Sequence, residues 1–221
     1  MRGPIVIAID GTSASGKSTN AKLVAKALGY VYVDTGAMYR TLAWYCLLKH
    51  VDVNDEKAVG ALCRKWKTQL KCVEKDGLRA AWLLVDDYFP EKEIRMPQTA
   101  AAVAHVAAVP KVREWMKKTQ RDCIQFGSLV MEGRDIGTNV FPETDFKFYL
   151  DAHLEERSKR RAAEGVQENL AARDQRDSQR AVAPLMIALG AVVVNNSGQT
   201  PAETSGFIIA EINKRLAEKR G

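Results

Sequence analysis

The sequence contains few residues of the kind that bind metal ions or form disulfides. It has only three histidines and four cysteines, and no two of the cysteines are spaced as CxxC. A structural zinc site needs closely spaced cysteine or histidine ligands, and disulfide frameworks occur mainly in short, cysteine-rich secreted proteins. We therefore expect no structural zinc site, and we expect the thiols of Cys46, Cys63, Cys72 and Cys123 to be reduced.

Long apolar runs are also absent. The first apolar stretch, residues 4–9, is far shorter than the roughly 20 residues that cross a bilayer, and nothing resembles a signal peptide. We therefore expect a cytoplasmic protein without a membrane partner. The length of 221 residues suits one domain with embellishments, and no internal repeat or low-complexity tract is present.

The charge distribution lacks an uninterrupted basic stripe. The formal net charge is +6, which on its own is compatible with a nucleic-acid partner. Many of the basic residues, however, lie in "EERSKRRAAEG" and "ARDQRDSQR", where acids and bases alternate and aromatic residues for base stacking are missing. This pattern favours arginine-rich segments that close over a small anionic ligand, and we expect no nucleic-acid partner.

What the sequence does contain is a phosphate-binding pattern, in "AIDGTSASGKST" (residues 8–19). An apolar strand precedes it and a helical pattern follows, which is the context that such a loop requires. Glycines let the backbone N–H groups surround a polyphosphate. We expect Lys17 to reach the β and γ phosphates of ATP and the Ser18 hydroxyl to ligate Mg²⁺. The expected ATP-binding residues are Gly11, Thr12, Ser13, Ala14, Ser15, Gly16, Lys17, Ser18 and Thr19.

Apolar segments alternate with helical patterns along the chain, which predicts an α/β fold of the P-loop NTPase type, with a five-stranded parallel sheet between two layers of helices. The predicted strands are 5–9, 30–33, 129–132, 146–150 and 191–194. The predicted helices are 17–28, 36–49, 111–126, 153–163 and 201–219. The ligand of such a sheet lies beyond the carboxyl ends of its strands.

Two segments interrupt the alternation. Residues 50–100 contain a predicted helix at 55–66 and two strand-like runs, 68–73 and 78–85, joined by the turn "EKDG". This pattern predicts an inserted hairpin subdomain. The charged helical stretch 156–180 predicts a short, mobile lid. The expected core of the single domain is then residues 1–49, 101–155 and 181–221.

Arginines from separate segments are expected to meet at the ligand edge of the sheet. After the second predicted strand, Thr35 is placed to cap the next helix, and Arg40 lies in the first turns of that helix. Arg134 and Asp135 lie at the carboxyl end of the third predicted strand. Arg173, Arg176 and Arg180 follow in the predicted lid. Each alone is compatible with a surface arginine or a structural ion pair. Together they favour a second substrate that carries a phosphate, because guanidinium groups bind phosphate oxygens bidentately.

A phosphorylated acceptor changes the chemistry that is needed. A monophosphate is largely an anionic nucleophile at neutral pH, so no general base is required. The task is then to align two polyanions, neutralise their charge and exclude water. Two alternatives stay open: a small-molecule kinase acting on an alcohol with Asp34 as the base, and an ATP-dependent nucleic-acid-binding module.

Several motifs together resemble the bacterial-type cytidylate kinases, in the same order and across nearly the whole chain. They are "IDGTSASGKST", "DTGAMYR", "VREWMKKTQR", "MEGRDIGTNVFPE", "DAHLEERSKRR" and "RDQRDSQRAVAPL". The resemblance implies a nucleoside monophosphate kinase fold with an NMP-binding insert and a lid. It also implies the reaction of ATP with CMP or dCMP, giving ADP and CDP or dCDP, with Mg²⁺ as the cofactor.

The resemblance implies roles for individual residues. Arg40, Arg134 and Arg180 would hold the CMP phosphate with Thr35 nearby, and Asp177 would hold the ribose. Arg113 and Asp135 would contact cytosine. Arg157 and Arg161 would clamp the ATP phosphates, with Arg160 as a further candidate. The residues expected to act in catalysis are Lys17, Arg157, Arg161 and Arg134.

One position departs from the family pattern. A serine that contacts cytosine is usual just before the "VAAxPxVR" segment, and this chain has Ala104 there. We expect the loss of that hydrogen bond to cost about 1 kcal/mol of CMP binding. All the expected groups come from one chain, so we expect a monomer.

Overall fold

The computed structural model describes residues 3–165 and 169–219. Within these ranges, seven strands form one sheet with helices on both faces. The strands are β1 Val6–Gly11, β2 Val31–Asp34, β3 Thr68–Lys75, β4 Leu78–Val85, β5 Leu129–Glu132, β6 Phe146–Asp151 and β7 Val192–Asn195. The helices are α1 Lys17–Leu28, α2 Thr35–Leu48, α3 Glu56–Lys65, α4 Pro97–Ala108, α5 Pro110–Asp122, α6 Leu154–Ala163, α7 Leu170–Ser178 and α8 Pro201–Glu218.

The sheet has the strand order β3-β4-β2-β5-β1-β6-β7. All neighbouring strands pair in parallel except β3 and β4, which form an antiparallel hairpin. Strand β1 therefore has β5 on one side and β6 on the other. This arrangement brings the carboxyl ends of β1, β2, β5 and β6 to one edge of the sheet.

Each face of the sheet carries its own apolar core, and β1 is therefore buried on both sides. Val6 and Ala8 contribute to the cluster that contains Leu42 of α2 and Met116 of α5. Ile7 and Ile9 contribute to the opposite cluster, which contains residues of α1 and α8. Successive strand residues point to opposite faces, so a continuous apolar run is the pattern that a doubly covered parallel strand requires.

The predicted α/β class and parallel central sheet are confirmed, but the predicted number of five strands is wrong. The hairpin β3–β4 extends the same sheet, because Ala80 of β4 pairs in parallel with Tyr32 of β2. Its turn places Asp76 at φ 53° and Gly77 at φ 72°, as two-residue hairpin turns favour. The turn residues predict the hairpin itself, whereas the strand beside which it packs depends on long-range contacts. The division of the chain into a core, an insert and a lid stays a prediction.

The helices differ from the predictions mainly at their ends. Helix α5 ends at Asp122, and a single 3₁₀ turn over Cys123–Phe126 completes the predicted segment. Helix α4 was not predicted, since its alanine-rich sequence has a weak apolar pattern and no side chain caps its start. The predicted lid contains α6 and α7, and its residues 166–168 lie outside the described residues. Among the described residues no helix has the length and apolar character needed to cross a membrane.

Candidate active site

The glycine-rich loop connects β1 to α1 at the edge where the parallel strands end. Gly11 has φ 149°, and a Cβ there would collide with the carbonyl oxygen of Leu150 on β6. Gly16, with φ 85°, precedes the first residue of α1. Both positions favour glycine, one because of close packing and one because of its left-handed backbone. The loop thus ends at a helix N-terminus, where free N–H groups attract anions.

The Lys17 side chain lies within the loop. Lys17 is 6% exposed. Its amine donates to the carbonyl of Thr12 and lies 3.4 Å from Ser15 Oγ. Ser15 Oγ also donates to the Thr12 carbonyl, at 2.9 Å. Burial, and next the charge of Arg134, lower the pKa of Lys17 well below its ordinary value. An amine held in this way gains from any anion that enters the loop.

Two carboxylates, those of Asp34 and Glu132, lie at the ends of neighbouring strands close to Lys17 and Ser18 of the loop. Glu132 ends β5 beside Asp34 of β2, and it accepts from the Tyr32 hydroxyl at 2.5 Å. Burial, and next the charge of Asp34, raise the pKa of Glu132, while Lys17 and hydrogen bonds from Tyr32 and Ser18 oppose the rise. Hydroxyl and carboxylate oxygens are the donors that Mg²⁺ prefers, so Ser18 and Glu132 fit this ion. The sequence reasoning missed Glu132, although an acid that ends the strand next to β1 could have indicated it.

The start of α2 supplies one of the predicted arginines. Asp34 caps the helix by accepting from the Ala37 N–H at 2.7 Å, and it also accepts from Arg40 at 3.0 Å. The prediction that Thr35 caps this helix is therefore wrong. Thr35 is the first helical residue, and its hydroxyl donates to the Glu132 carbonyl at 2.7 Å, which ties α2 to the end of β5. Asp34 can thus form the cap and orient Arg40 at once.

Asp177 brings two more predicted arginines together. Its carboxylate accepts from Arg134 Nε at 3.0 Å through one oxygen and from Arg180 through the other. Burial would raise the pKa of Asp177, yet the guanidinium groups of Arg134 and Arg180 outweigh burial and hold the pKa below its ordinary value. The predicted lid is thereby joined to the loop that follows β5.

Arg113 and Asp135 form a buried ion pair at 2.5 Å, with 4% and 9% of their side chains exposed. Arg113 also donates to the Ala107 carbonyl at 3.3 Å and lies 5.6 Å from the centre of the Tyr39 ring. Among the described residues its Nε is buried without a hydrogen-bond partner. Ala104 is exposed on α4, one turn before Ala107.

The backbone that follows Asp135 is held in place by the side chain of Asp10 on β1. The buried Asp10 accepts from the backbone N–H groups of Ile136 at 2.8 Å and Gly137 at 2.7 Å. Burial raises the pKa of Asp10 to about 6, against these two hydrogen bonds. The sequence reasoning did not single out Asp10, which lies inside an apolar strand.

Two of the three arginines of α6 are joined to the glycine-rich loop. Arg157, 8% exposed, donates to the Ser13 carbonyl at 3.1 Å and to Asp174 at 2.5 Å. Asp174 in turn accepts from the Ser13 N–H at 2.9 Å. Arg160 donates to Asn196 Oδ1 at 3.0 Å, and the Asn196 amide donates to the Ser15 carbonyl at 2.8 Å.

The remaining predicted residues lie around this centre. Arg161, in the last turn of α6, donates to Glu164 at 2.7 Å. Thr12 donates to Asp151 at the end of β6, at 2.7 Å. Ser18 and Thr19 are exposed in the first turn of α1. The sequence reasoning missed Asp151, Asp174 and Asn196, because each reaches the loop from a distant part of the chain.

The comparisons with known proteins agree on one family. The family profile described as cytidylate kinase matches residues 7–214. The chain belongs to the cytidylate kinase family. It is 40% identical to the cytidylate kinase of Geobacillus sp. strain WCH70 over an alignment of 227 positions, which covers 98% of this chain and 100% of the relative. It is 39% identical to that of Lactiplantibacillus plantarum, over 97% of this chain and 95% of the relative.

One relative of this cytidylate kinase family member is a larger protein. The bifunctional pantoate ligase/cytidylate kinase of Acaryochloris marina is 41% identical over an alignment of 226 positions, which covers 97% of this chain and 43% of that protein. The family inferred from the sequence motifs is therefore confirmed.

Proposed function

We propose that this chain transfers the γ-phosphoryl group of ATP to the phosphate of CMP or dCMP, giving ADP and CDP or dCDP. The observation that carries the proposal is the meeting, at one edge of the sheet, of a phosphate-binding loop and a separate set of arginines, next to the buried pair of Arg113 and Asp135. Membership of the cytidylate kinase family supports the same reaction.

The donor phosphates bind in the loop. The backbone N–H groups of Gly11–Thr19 surround them, and Lys17 neutralises charge on the β and γ phosphates. Helix α6 adds positive charge through Arg157 and Arg161, and Arg157 already donates to the Ser13 carbonyl of the loop. Arg160 adds a third charge, and Asn196 holds its guanidinium near the loop. Ser18, with Glu132 behind it, would hold Mg²⁺, which supplies charge neutralisation between the phosphates when bound.

The acceptor phosphate binds between the arginines. Arg40, Arg134 and Arg180 bind its oxygens, and Thr35 holds the start of α2 beside them. Asp177 accepts from the ribose hydroxyls while it keeps Arg134 and Arg180 together. Because the acceptor oxygen is already anionic, positioning and charge neutralisation account for the rate without a general base.

Arg113 and Asp135 read the acceptor base. The guanidinium can donate to the ring nitrogen and carbonyl of cytosine, and the carboxylate can accept from its exocyclic amine. Uracil has a carbonyl in place of that amine, so it would face the carboxylate with an unpaired acceptor. The buried Nε of Arg113, which has no partner among the described residues, supports a ligand at this position.

A coupled assay of ADP release tests the proposal against its rivals. The acceptor panel is CMP, dCMP, UMP, AMP and shikimate, each with ATP and Mg²⁺. We expect turnover with CMP and dCMP well above the others. Turnover with shikimate alone would favour an alcohol kinase with Asp34 as base, and stimulation of ATP hydrolysis by RNA or DNA would favour a nucleic-acid-dependent module.

We further propose that the enzyme acts as a cytoplasmic monomer without a nucleic-acid partner. The groups named above all come from one chain, which supports this. Sedimentation velocity at assay concentrations tests whether the enzyme is a monomer, since the molecular mass fitted for a dimer would be twice that of one chain.

A further inference from the structure

Asn139 lies beside the cytosine-reading carboxylate because of the backbone that follows Asp135. Residues Ile136–Val140 form a single π-helical turn, a geometry that often occurs at functional sites. Within this turn the Asn139 N–H donates to the Asp135 carbonyl at 2.9 Å. Asp10 also accepts from the two N–H groups at the start of the turn, which fixes the backbone that leads to Asn139.

The orientation of the Asn139 amide follows from a lysine on α5. Lys117 Nζ lies 3.2 Å from Asn139 Oδ1. An ammonium group can only donate, so the oxygen of the amide must face Lys117. The NH₂ group then faces Asp135, and Nδ2 lies 3.0 Å from Asp135 Oδ2.

Asn139 and Arg113 donate to the same oxygen of Asp135. Arg113 Nη2 lies 2.5 Å from Oδ2, the atom that Asn139 also contacts. A carboxylate oxygen has two lone pairs, so these two donors saturate Oδ2 and leave Oδ1 as the acceptor for a ligand. Rotation of an aspartate about its last torsion is soft and nearly two-fold symmetric. Two donors from different directions on one oxygen restrain that rotation, whereas Arg113 alone could also hold a turned carboxylate.

We propose that Asn139 is a positioning residue that holds the Asp135 carboxylate with Oδ1 turned toward the acceptor base, and thereby contributes to the discrimination between cytosine and uracil. The proposal rests on the function proposed above, in which Asp135 accepts from the cytosine amine. Lys117 supports the arrangement from α5 by fixing the amide.

The test is the ratio of kcat/KM for CMP to kcat/KM for UMP in Asn139→Ala. We expect the value for CMP to fall by about threefold to tenfold and that for UMP by less than about twofold, because a hydrogen bond to Asp135 matters most when the amine is present. Both values come from one enzyme sample, so partial unfolding cancels in the ratio. Asn54→Ala is the matched control, since exposed Asn54 donates to Asp52 at 2.9 Å in the same kind of bond, and it should leave the ratio unchanged.

A double-mutant cycle shows whether Asn139 acts through Asp135. In an Asp135→Ala background, Asn139→Ala should change the ratio by less than about twofold. Lys117→Met provides a second variant, which removes the partner of the amide oxygen and should lower the ratio by about twofold to threefold. This substitution leaves the backbone of the turn intact.

The outcomes separate this inference from the proposed function. If the parent enzyme prefers CMP and Asn139→Ala keeps the full preference, the positioning role is wrong while the proposed function stands. An equal effect of Asn139→Ala with and without Asp135 would also overturn it. If the parent enzyme uses UMP as well as CMP, the assignment of Asp135 to cytosine is wrong, and the role of Asn139 fails with it.

Discussion

Lys17 is the residue on whose charge the proposed phosphoryl transfer most depends. Negative charge grows on the transferred group in the transition state, and a buried amine stabilises it without reorganisation. We predict that Lys17→Ala lowers kcat by about 100-fold to 1000-fold. Steady-state assays with CMP check this. Lys22→Ala, an exposed lysine on the same helix, is the matched control. A parent-like rate in Lys17→Ala would show that the loop is not the donor site.

Arg134 should act on the acceptor. Its guanidinium is held by Asp177 in the arginine cluster that is separate from the loop. We predict that Arg134→Ala weakens apparent CMP affinity by roughly tenfold to 100-fold and ATP affinity by less than about threefold, since charged hydrogen bonds to phosphate are strong.

Titration of both substrates by initial rates measures the difference. Arg121→Ala serves as a control, because Arg121 pairs with Glu143 away from these residues. Equal losses for the two substrates would mean that Arg134 supports the fold and not the acceptor.

At the scale of elements, Asp174 joins α7 to the glycine-rich loop. Its carboxylate accepts from both the Ser13 N–H and Arg157. We predict that Asp174→Ala speeds hydrogen exchange in the loop peptide containing Ser13, because the amide loses its acceptor. Asp145→Ala, which removes the partner of Lys219 before β6, should leave this peptide unchanged. Unaltered exchange in Asp174→Ala would mean that α7 does not hold the loop.

The predicted lid as a whole should respond to both substrates. Residues 156–180 carry positive charge from α6 and α7, and two bound polyanions would draw these helices together. We predict the slowest hydrogen exchange in this segment with ATP and CMP bound together, using a nonhydrolysable donor. If either ligand alone gives the same protection, closure does not depend on filling both sites.

At the scale of the whole molecule, Asp10 should make stability depend on pH. Its pKa is raised from 3.8 to about 6, so between these values the folded protein binds more protons than the unfolded chain. The contribution of Asp10 to stability is therefore full below pH 3.8 and declines as pH rises to about 6. The total decline is roughly 3 kcal/mol.

Urea unfolding of the parent and of Asp10→Asn across this range provides the measurement. The parent's free energy of unfolding, minus that of the variant, should fall as pH rises and become constant above about pH 7. A difference that does not change with pH would show that the carboxylate titrates alike in the folded and unfolded states.

Local features of this chain were determined by the sequence alone. The phosphate loop is one, because the left-handed backbone of Gly16 and the helix start at Lys17 depend on neighbours within a few residues. The turn at Asp76 and Gly77 is another. The motifs also identified the family, because residue types and their order along the chain can be compared without knowing which residues are in contact.

Only the tertiary structure decided which distant groups meet. Asp177 joins Arg134 across 43 positions, and Asn196 reaches the Ser15 carbonyl across 181. The sheet has seven strands and not the predicted five because β4 pairs with β2 and thereby adds the hairpin β3–β4, and the hairpin sequence holds no signal for this pairing. Asp10 and Glu132 stand in apolar strands, where sequence pattern alone cannot reveal which N–H, hydroxyl or amine will face them. Such contacts are set by the packing of strands and helices that are remote in sequence, and so they appear only when the chain is folded.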